Sequence, residues 1–321
     1  MADVTEIVNS VLVTSSTSYS LDGQLRTSES SGQRDAAGLT AHIARDIYWN
    51  FYSRQLAIQP EPEPVLSDRQ FVEALSQANS GVGTWEPGWK IVQVATGERF
   101  AVSNGSILFW VYRTGLQSDT DDPDLDDPCR VWITKEKRYL VPGFYYFVGN
   151  SSQIRRDSAI RRIVRIYWNL HSSGAISWVS KISESFNKAG IPFEAKILSD
   201  SRNFRRADSA VIYINPDDIG HVARLVRTIA QDIEAFVRPE SPMFTFKLCP
   251  GVGLAEDPGG GVSFGQSRCS VVAGGLVSAF NKQIIGIGAV RDEITRSFVA
   301  AGIRPDAPYL NPASALSLGH I

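Results

Sequence analysis

The sequence predicts an α+β fold, and three observations carry that prediction. Short segments such as RIYWNL at 165–170 and MFTFKLC at 243–249 alternate with the period of a strand. Elsewhere apolar residues recur at helical spacing, as with Ile219, Val222, Leu225, Val226, Ile229, Ile233 and Phe236. The two kinds of segment do not alternate as regular βαβ units, which argues against a doubly wound parallel sheet.

Residues 1–37 are rich in Ser and Thr and poor in apolar residues, so they are expected to form a flexible arm. The same composition suits a non-cleaved export signal. From Gly38, the residues Leu39, Ile43, Ile47 and Phe51 mark a helix, and IARDIYWNFYSRQ adds an aromatic face that reads as core. Beyond the Pro-rich stretch 58–68, Ser67 or Asp68 is placed to cap a second helix that buries Phe71, Val72 and Leu75. The segment 78–89, ANSGVGTWEPGW, reads as a loop. A β-rich unit then runs from Trp89 to Gly149, with WKIVQVA, RFAVS, SILFWVYR, RVWIT and FYYFVG separated by turn residues. The acidic run 119–128 lacks the Gly and terminal Glu of a calcium loop and reads as a solvated connection.

SSQIRRDS at 151–158 is polar and basic and makes the expected boundary between an N-terminal domain (38–150), a candidate for peptide recognition, and a C-terminal domain (151–321). In the next strand Arg165, Tyr167, Asn169 and His171 share one face, free to line a cleft, while Val164, Ile166, Trp168 and Leu170 share the other. Ser172 or Ser173 is placed to cap a helix burying Ile176, Val179, Ile182 and Phe186, which Gly190 and Pro192 end. Phe193–Leu198 and AVIYI at 210–214 are strands, and Asp217 or Asp218 starts the helix 219–236. LAEDPGGGVSFGQSR at 254–268 reads as a mobile loop leading to a last helix, VVAGGLVSAF.

Composition narrows the chemistry. The 321 residues are 43% hydrophobic, enough for a sizeable core, and 32 Lys+Arg against 34 Asp+Glu leave a net charge of -2. No overall basic field argues for nucleic acid or a membrane surface as partner, so any anion site is local. Cys129, Cys249 and Cys269 suit reduced thiols, and without a Cys-x-x-Cys pair or clustered histidines no metal site is expected. No apolar run reaches about 20 residues and no cleavable signal sequence begins the chain. A cytoplasmic protein is therefore expected, the alternative being an effector exported through an uncleaved signal. The P-loop, G-x-G-x-x-G, H-R-D, D-F-G and H-E-x-x-H patterns are all absent, and no Cys is followed by an Arg at phosphatase spacing.

The segments IYWNFYSR, TWEPGW, VPGFYYFVGN, IYWNL, GIPFEAKIL, RRADSAVIYI and FKLCPGVGLAEDPGGGVSFGQSRC together resemble the HopA-type family. That family is known both as bacterial type III effectors and as partners of lanthipeptide kinases. In lanthipeptide pathways the resemblance implies removal of phosphate from phosphoserine or phosphothreonine of a precursor peptide, leaving dehydroalanine or dehydrobutyrine. The implied partners are that phosphorylated peptide and a cognate kinase, with no cofactor. A more distant resemblance is to effector phosphothreonine lyases, whose catalytic lysine precedes Thr-Asp, an arginine and a strand ending Tyr-x-Lys-Pro-Asp. Here Lys196 precedes Ser199-Asp200, Arg206 and Tyr213-Ile214-Asn215-Pro216-Asp217, with Asn215 in place of a lysine. The lyases' histidine acid maps to Tyr167, with His171 just beyond it.

Eliminating phosphate needs a base for the Cα proton and stabilisation of the departing dianion, and neither requires a metal. Lys196, in an apolar strand near Arg205 and Arg206, has the two ingredients that lower a lysine pKa towards neutrality. Arg206, Lys247 and Arg268 are the expected phosphate cradle, with Arg165 as a fourth member and Tyr213 orienting the phosphate or the lysine. Other readings stand beside these: a snorkelling Lys196, an Arg206 bridged to Asp200 or Asp208, and an Arg268 that ties down its loop. Tyr167 or His171 is the acid. His42, His221 and His320 fit no constellation. The alternative function is a non-catalytic effector or phosphopeptide-binding module.

Overall fold

The computed structural model describes residues 4–28, 36–54, 68–105, 108–138, 140–151 and 163–318. Helix α1 (Thr5–Ser10) leads into a three-stranded antiparallel sheet of β1 (Val11–Val13), β2 (Ser18–Leu21) and β3 (Gln24–Thr27). This corrects the expected arm as far as residue 28. Its apolar residues are few, but Val4, Ile7, Val11, Val13, Tyr19 and Leu21 all turn inward and are buried, and the Tyr19 hydroxyl donates to Asp46. Leu12 and Leu25 stay exposed, but sparse apolar residues suffice when their spacing puts most of them on the same side.

Helix α2 (Ala36–Ile47) continues into a π-helical turn, Tyr48–Tyr52, and Asp68 caps α3 (Arg69–Ala78) by accepting from the Gln70 and Phe71 amides. Five antiparallel strands follow: β4 (Thr84–Ala95), β5 (Arg99–Ser103), β6 (Leu108–Tyr112), β7 (Leu116–Ser118) and β8 (Pro128–Ile133), in the order β6-β5-β4-β8-β7. TWEPGW is thus strand rather than loop, with β4 bulged between Glu86 and Trp89 so that both stay paired to β8.

The central sheet has six antiparallel strands in the order β13-β14-β10-β12-β11-β9. They are β9 (Phe144–Val148), β10 (Val164–Trp168), β11 (Phe193–Leu198), β12 (Ala210–Ile214), β13 (Phe246–Cys249) and β14 (Val252–Glu256). Helices α4 (Ala175–Lys188), α5 (Ile219–Asp232), α6 (Phe264–Asn281) and α7 (Ile287–Ala300) complete the described elements. The boundary segment 152–158 lies outside the described residues, and β9, which precedes it, pairs with β11. Neither Ser172 nor Ser173 caps α4, and neither Asp217 nor Asp218 caps α5 through its side chain. A 3-10 turn precedes each helix instead.

The alternation in these strands separates two environments. Ile166, Ile212, Ala195 and Leu254 face a core completed by α3, α4 and α5. On the opposite face Tyr167, Val211 and Ala255 meet a second core with α2, α6, α7 and the N-terminal sheet. Tyr146 and Val148, also on that second face, pack against the five-stranded sheet. Between these two covers the second face opens into a cavity.

Candidate functional site

The cavity holds about 700 Å³ and is lined by Arg165 and Tyr167 of β10, Lys196 of β11, Arg206, Asp208, and Val211 and Tyr213 of β12. Tyr48, Trp49 and Tyr52 of the π-helical turn, Phe144 of β9, and Ser263, Gly265 and Gln266 at the start of α6 close it. Strand register brings the central side chains together. Lys196 stands opposite Val211, which stands opposite Tyr167, while Tyr213 stands opposite Arg165. All project from one face because paired residues in an antiparallel ladder point the same way.

Lys196 is the central observation. Its amine forms no hydrogen bond or ion pair among the described residues and sits 4.5 Å from the Phe144 ring centroid and 5.9 Å from that of Tyr213. Burial, followed by repulsion from Arg165 and then Arg206, pulls its pKa down to about 8, although Asp208 and Asp257 act the other way. The charged form is therefore partly stripped of water and has no counter-ion in contact, so a neutral fraction is present near physiological pH.

The two arginines beside it are already paired. Arg206 grips Asp208 through Nε at 2.5 Å and a terminal nitrogen at 2.7 Å. It also donates to the Tyr48 hydroxyl at 2.8 Å, which in turn donates to Asp208 at 3.1 Å. Its guanidinium lies 5.1 Å from the Trp49 ring centroid. Burial alone would raise the Asp208 pKa, but Arg206 and Tyr48 overcome it and hold the carboxyl below the usual range. Of the two ion pairs left open for Arg206, the one with Asp208 forms, and Asp200 pairs with Arg202 instead. Arg165 bonds Asp257 through Nε at 2.9 Å and also stacks over Tyr213, 5.6 Å from its centroid. Lys196, Arg165 and Arg206 together set three cations against two carboxylates, Asp208 and Asp257.

Tyr167 is buried, and its hydroxyl reaches no hydrogen-bond partner. Burial pushes its pKa up to about 12, opposed by Arg165 and by the Tyr52 hydroxyl, which lie near it without meeting hydrogen-bond geometry, so the phenol stays protonated and able to donate. Tyr213 is likewise held above the usual phenol range, chiefly by burial. His171 lies elsewhere: it is exposed, four residues or about 13 Å further along the chain from Tyr167, and its backbone amide donates to Phe236. The cavity holds Tyr167 and not His171.

Two expected cradle members also fall outside. Lys247 shares the face of Lys196, since the register runs Lys196, Val211, Tyr167, Gly253, Lys247. Four strand spacings nevertheless separate the two lysines by about 19 Å. Arg268 is buried and donates to the carbonyls of Pro308 at 2.7 Å and Leu310 at 2.9 Å, with a further bond to Asn311. It ties α6 to the C-terminal segment, and burial lowers its pKa to about 10. The segment read as one loop is loop only over 257–263; its ends belong to β14 and α6, with Ser263 and Gln266 forming a capping box.

The counter-ion Asp257, the aromatic turn and Phe144 are site residues that the sequence reading passed over, and Asp208 entered it only as one of two ion-pair partners for Arg206. The Arg-x-Asp spacing of Arg206 and Asp208 was the available signal. The π-helical turn looked like core because its rings do pack: Tyr48 stacks on Tyr52 at 5.1 Å, and a Cβ at Gly265 would come within 2.4 Å of the Tyr52 ring.

The fold and this cavity define an α+β protein that holds an unpaired, partly desolvated amine between two guanidinium groups. The chain belongs to the HopA1 effector protein family, whose model matches residues 135–310. No curated protein matches it. Among solved structures it is similar to the effector protein from Pseudomonas syringae pv. tomato strain DC3000, at 18% identity and a TM-score of 0.49 over 84% of this chain and 90% of that one. A second similar structure is the effector protein from Pseudomonas syringae pv. syringae strain 61, at 12% identity and a TM-score of 0.44 over 86% of this chain and 96% of that one.

Proposed function

We propose that the protein is a metal-independent lyase that eliminates phosphate from phosphoserine or phosphothreonine in a peptide. The observation that supports this most directly is the Lys196 amine, unpaired and with its pKa lowered to about 8. At pH 7 about a tenth of such an amine is neutral, against less than about a thousandth of an ordinary lysine. The neutral amine takes the Cα proton, the C–H electrons form the Cα=Cβ bond, and the Cβ–O bond breaks so that phosphate leaves with that oxygen. Arg165 and Arg206 face the departing dianion. Asp257 and Asp208 keep both guanidinium groups fixed before substrate arrives, so little reorganisation accompanies the reaction. Tyr167, neutral and with a hydroxyl awaiting a partner, donates to the leaving oxygen, and Tyr213 orients the phosphate.

The test is mass spectrometry of a phosphothreonine or phosphoserine peptide incubated with the purified protein and a chelator. Loss of phosphoric acid, giving dehydrobutyrine or dehydroalanine, is expected. Recovery of the free hydroxyl would mean a phosphatase, and an unchanged cognate peptide would leave a non-catalytic effector or phosphopeptide-binding module. The pH profile adds an independent check. kcat/KM should rise about tenfold per pH unit below about 8 and then level, since the free protein must lose one proton from Lys196. The inflection in kcat should lie higher, because bound phosphate favours the charged amine.

A further inference from the structure

The five-stranded sheet buries one face against the central sheet through Trp89, Ile91, Phe100, Val102 and Val131. Its other face is open to solvent and carries aromatic and cationic residues. On β6, at the end of the strand order, Leu108, Trp110 and Tyr112 alternate outward and are 61%, 41% and 65% exposed. Arg99 of β5 stands opposite Tyr112, and its guanidinium lies 5.2 Å from the Trp110 ring centroid and 5.9 Å from that of Tyr112. It therefore leans over β6 towards the free edge. Lys90 and Arg130 stand on the same face, and like Arg99 neither has an ion-pair partner among the described residues. No Asp or Glu occupies a paired position on this face of the strands.

Among the described residues nothing pairs with the outer side of β6. An edge strand with unpaired amides and carbonyls accepts another extended chain, and alternate side chains of that chain then meet the exposed face. From this we infer that β6 is a docking edge for an extended peptide whose inward side chains combine apolar groups, set against Leu108, Trp110 and Tyr112, with carboxylates that reach Arg99. Cations and aromatics on a sheet also suit single-stranded nucleic acid. A nucleic acid, however, cannot pair with the backbone amides and carbonyls of the edge. Leu108, Trp110 and Tyr112 stand on the face of the five-stranded sheet turned away from the central sheet and none of them lines the cavity, so one peptide held at β6 leaves the Lys196 site open to another part of the same chain. As a substrate-holding site this rests on the lyase reading; as a binding surface it does not.

The test is fluorescence anisotropy with the full chain and a labelled, unphosphorylated peptide alternating glutamate with valine. Binding that weakens with salt is expected, with a loss of roughly tenfold or more in Arg99→Glu and in Trp110→Ala. Lys196→Ala should bind as the wild type does. Circular dichroism confirms that each variant is folded, which the exposure of both side chains favours. Three results would overturn the inference: no binding of the glutamate peptide, equal binding of a lysine–valine peptide or tighter binding of oligothymidylate, or folded Arg99→Glu and Trp110→Ala variants that bind undiminished. Binding at β6 without turnover of any phosphopeptide would sink the lyase reading alone, whereas turnover without this binding would sink the docking edge alone.

Discussion

Replacing Lys196 with Met should make the protein more stable at neutral pH while ending elimination. The amine falls from 10.5 to about 8 in the folded chain, with burial as the largest cause. Each unit of that drop opposes folding by about 1.4 kcal/mol, so the charged lysine destabilises the native state by about 3 kcal/mol. Methionine keeps a stem of similar length and removes the charge. It also loses the attraction of the ammonium to Phe144, 4.5 Å away, worth about 0.5–2 kcal/mol. A net gain of about 1–3 kcal/mol is expected near pH 7. Because the native pKa lies below the unfolded one, the unfolded chain binds more protons between about pH 8 and 10.5, and wild-type stability gains with pH from this group across that window. The advantage of Lys196→Met is thus full below pH 8, shrinks through the window and is gone above it. Urea unfolding of both proteins near neutrality and again near pH 10, followed by tryptophan fluorescence, reads the difference. A variant less stable than wild type near neutrality, or an advantage that does not change with pH, would refute the reasoning.

Arg206→Met should destabilise the fold by about 3 kcal/mol or more, since it strands the buried Asp208 carboxylate. Arg206→Met with Asp208→Asn should recover most of that loss in the same unfolding assay, while phosphate elimination stays impaired in both. Tyr167→Phe removes a buried hydroxyl that has no partner; stability should hold or rise by up to about 1 kcal/mol, while turnover falls by about 10²- to 10⁴-fold as a general acid is lost. Arg268→Met should lower the melting temperature by breaking the bonds to Pro308 and Leu310, at a cost of about 3 kcal/mol for two charge-assisted bonds. Lys247→Ala, about 19 Å from Lys196 by strand count, should change neither melting temperature nor turnover appreciably.

Much of the site was legible where chemistry and local period coincide. The alternation around Arg165 and Tyr167 put both on a cleft face, and that of Phe193–Leu198 set Lys196 among apolar neighbours. Those inferences need only the two-residue repeat of a strand. Strand register does put Lys247 on that face as well, but the repeat says nothing of how many strands intervene, so Lys247 looked like a cradle member.

What the chain determines locally is therefore the α+β class, most of the strands, the Asp68 cap and the candidates Lys196, Arg206, Arg165 and Tyr167. Tertiary structure alone decided which of these meet, and which charges are already answered. Strand order brought Arg165 and Tyr213 beside Lys196, β14 and α6 carried Arg268 to the C-terminal carbonyls, and the π-helical turn supplied Tyr48 to the Arg206–Asp208 pair. Residues 4–28 found their core only because α2, α6 and α7 present one to them. The physical reason is the same in each case. Periodicity fixes the side of an element on which a residue lies, whereas burial, ion pairing and pKa depend on residues distant in sequence that share that side.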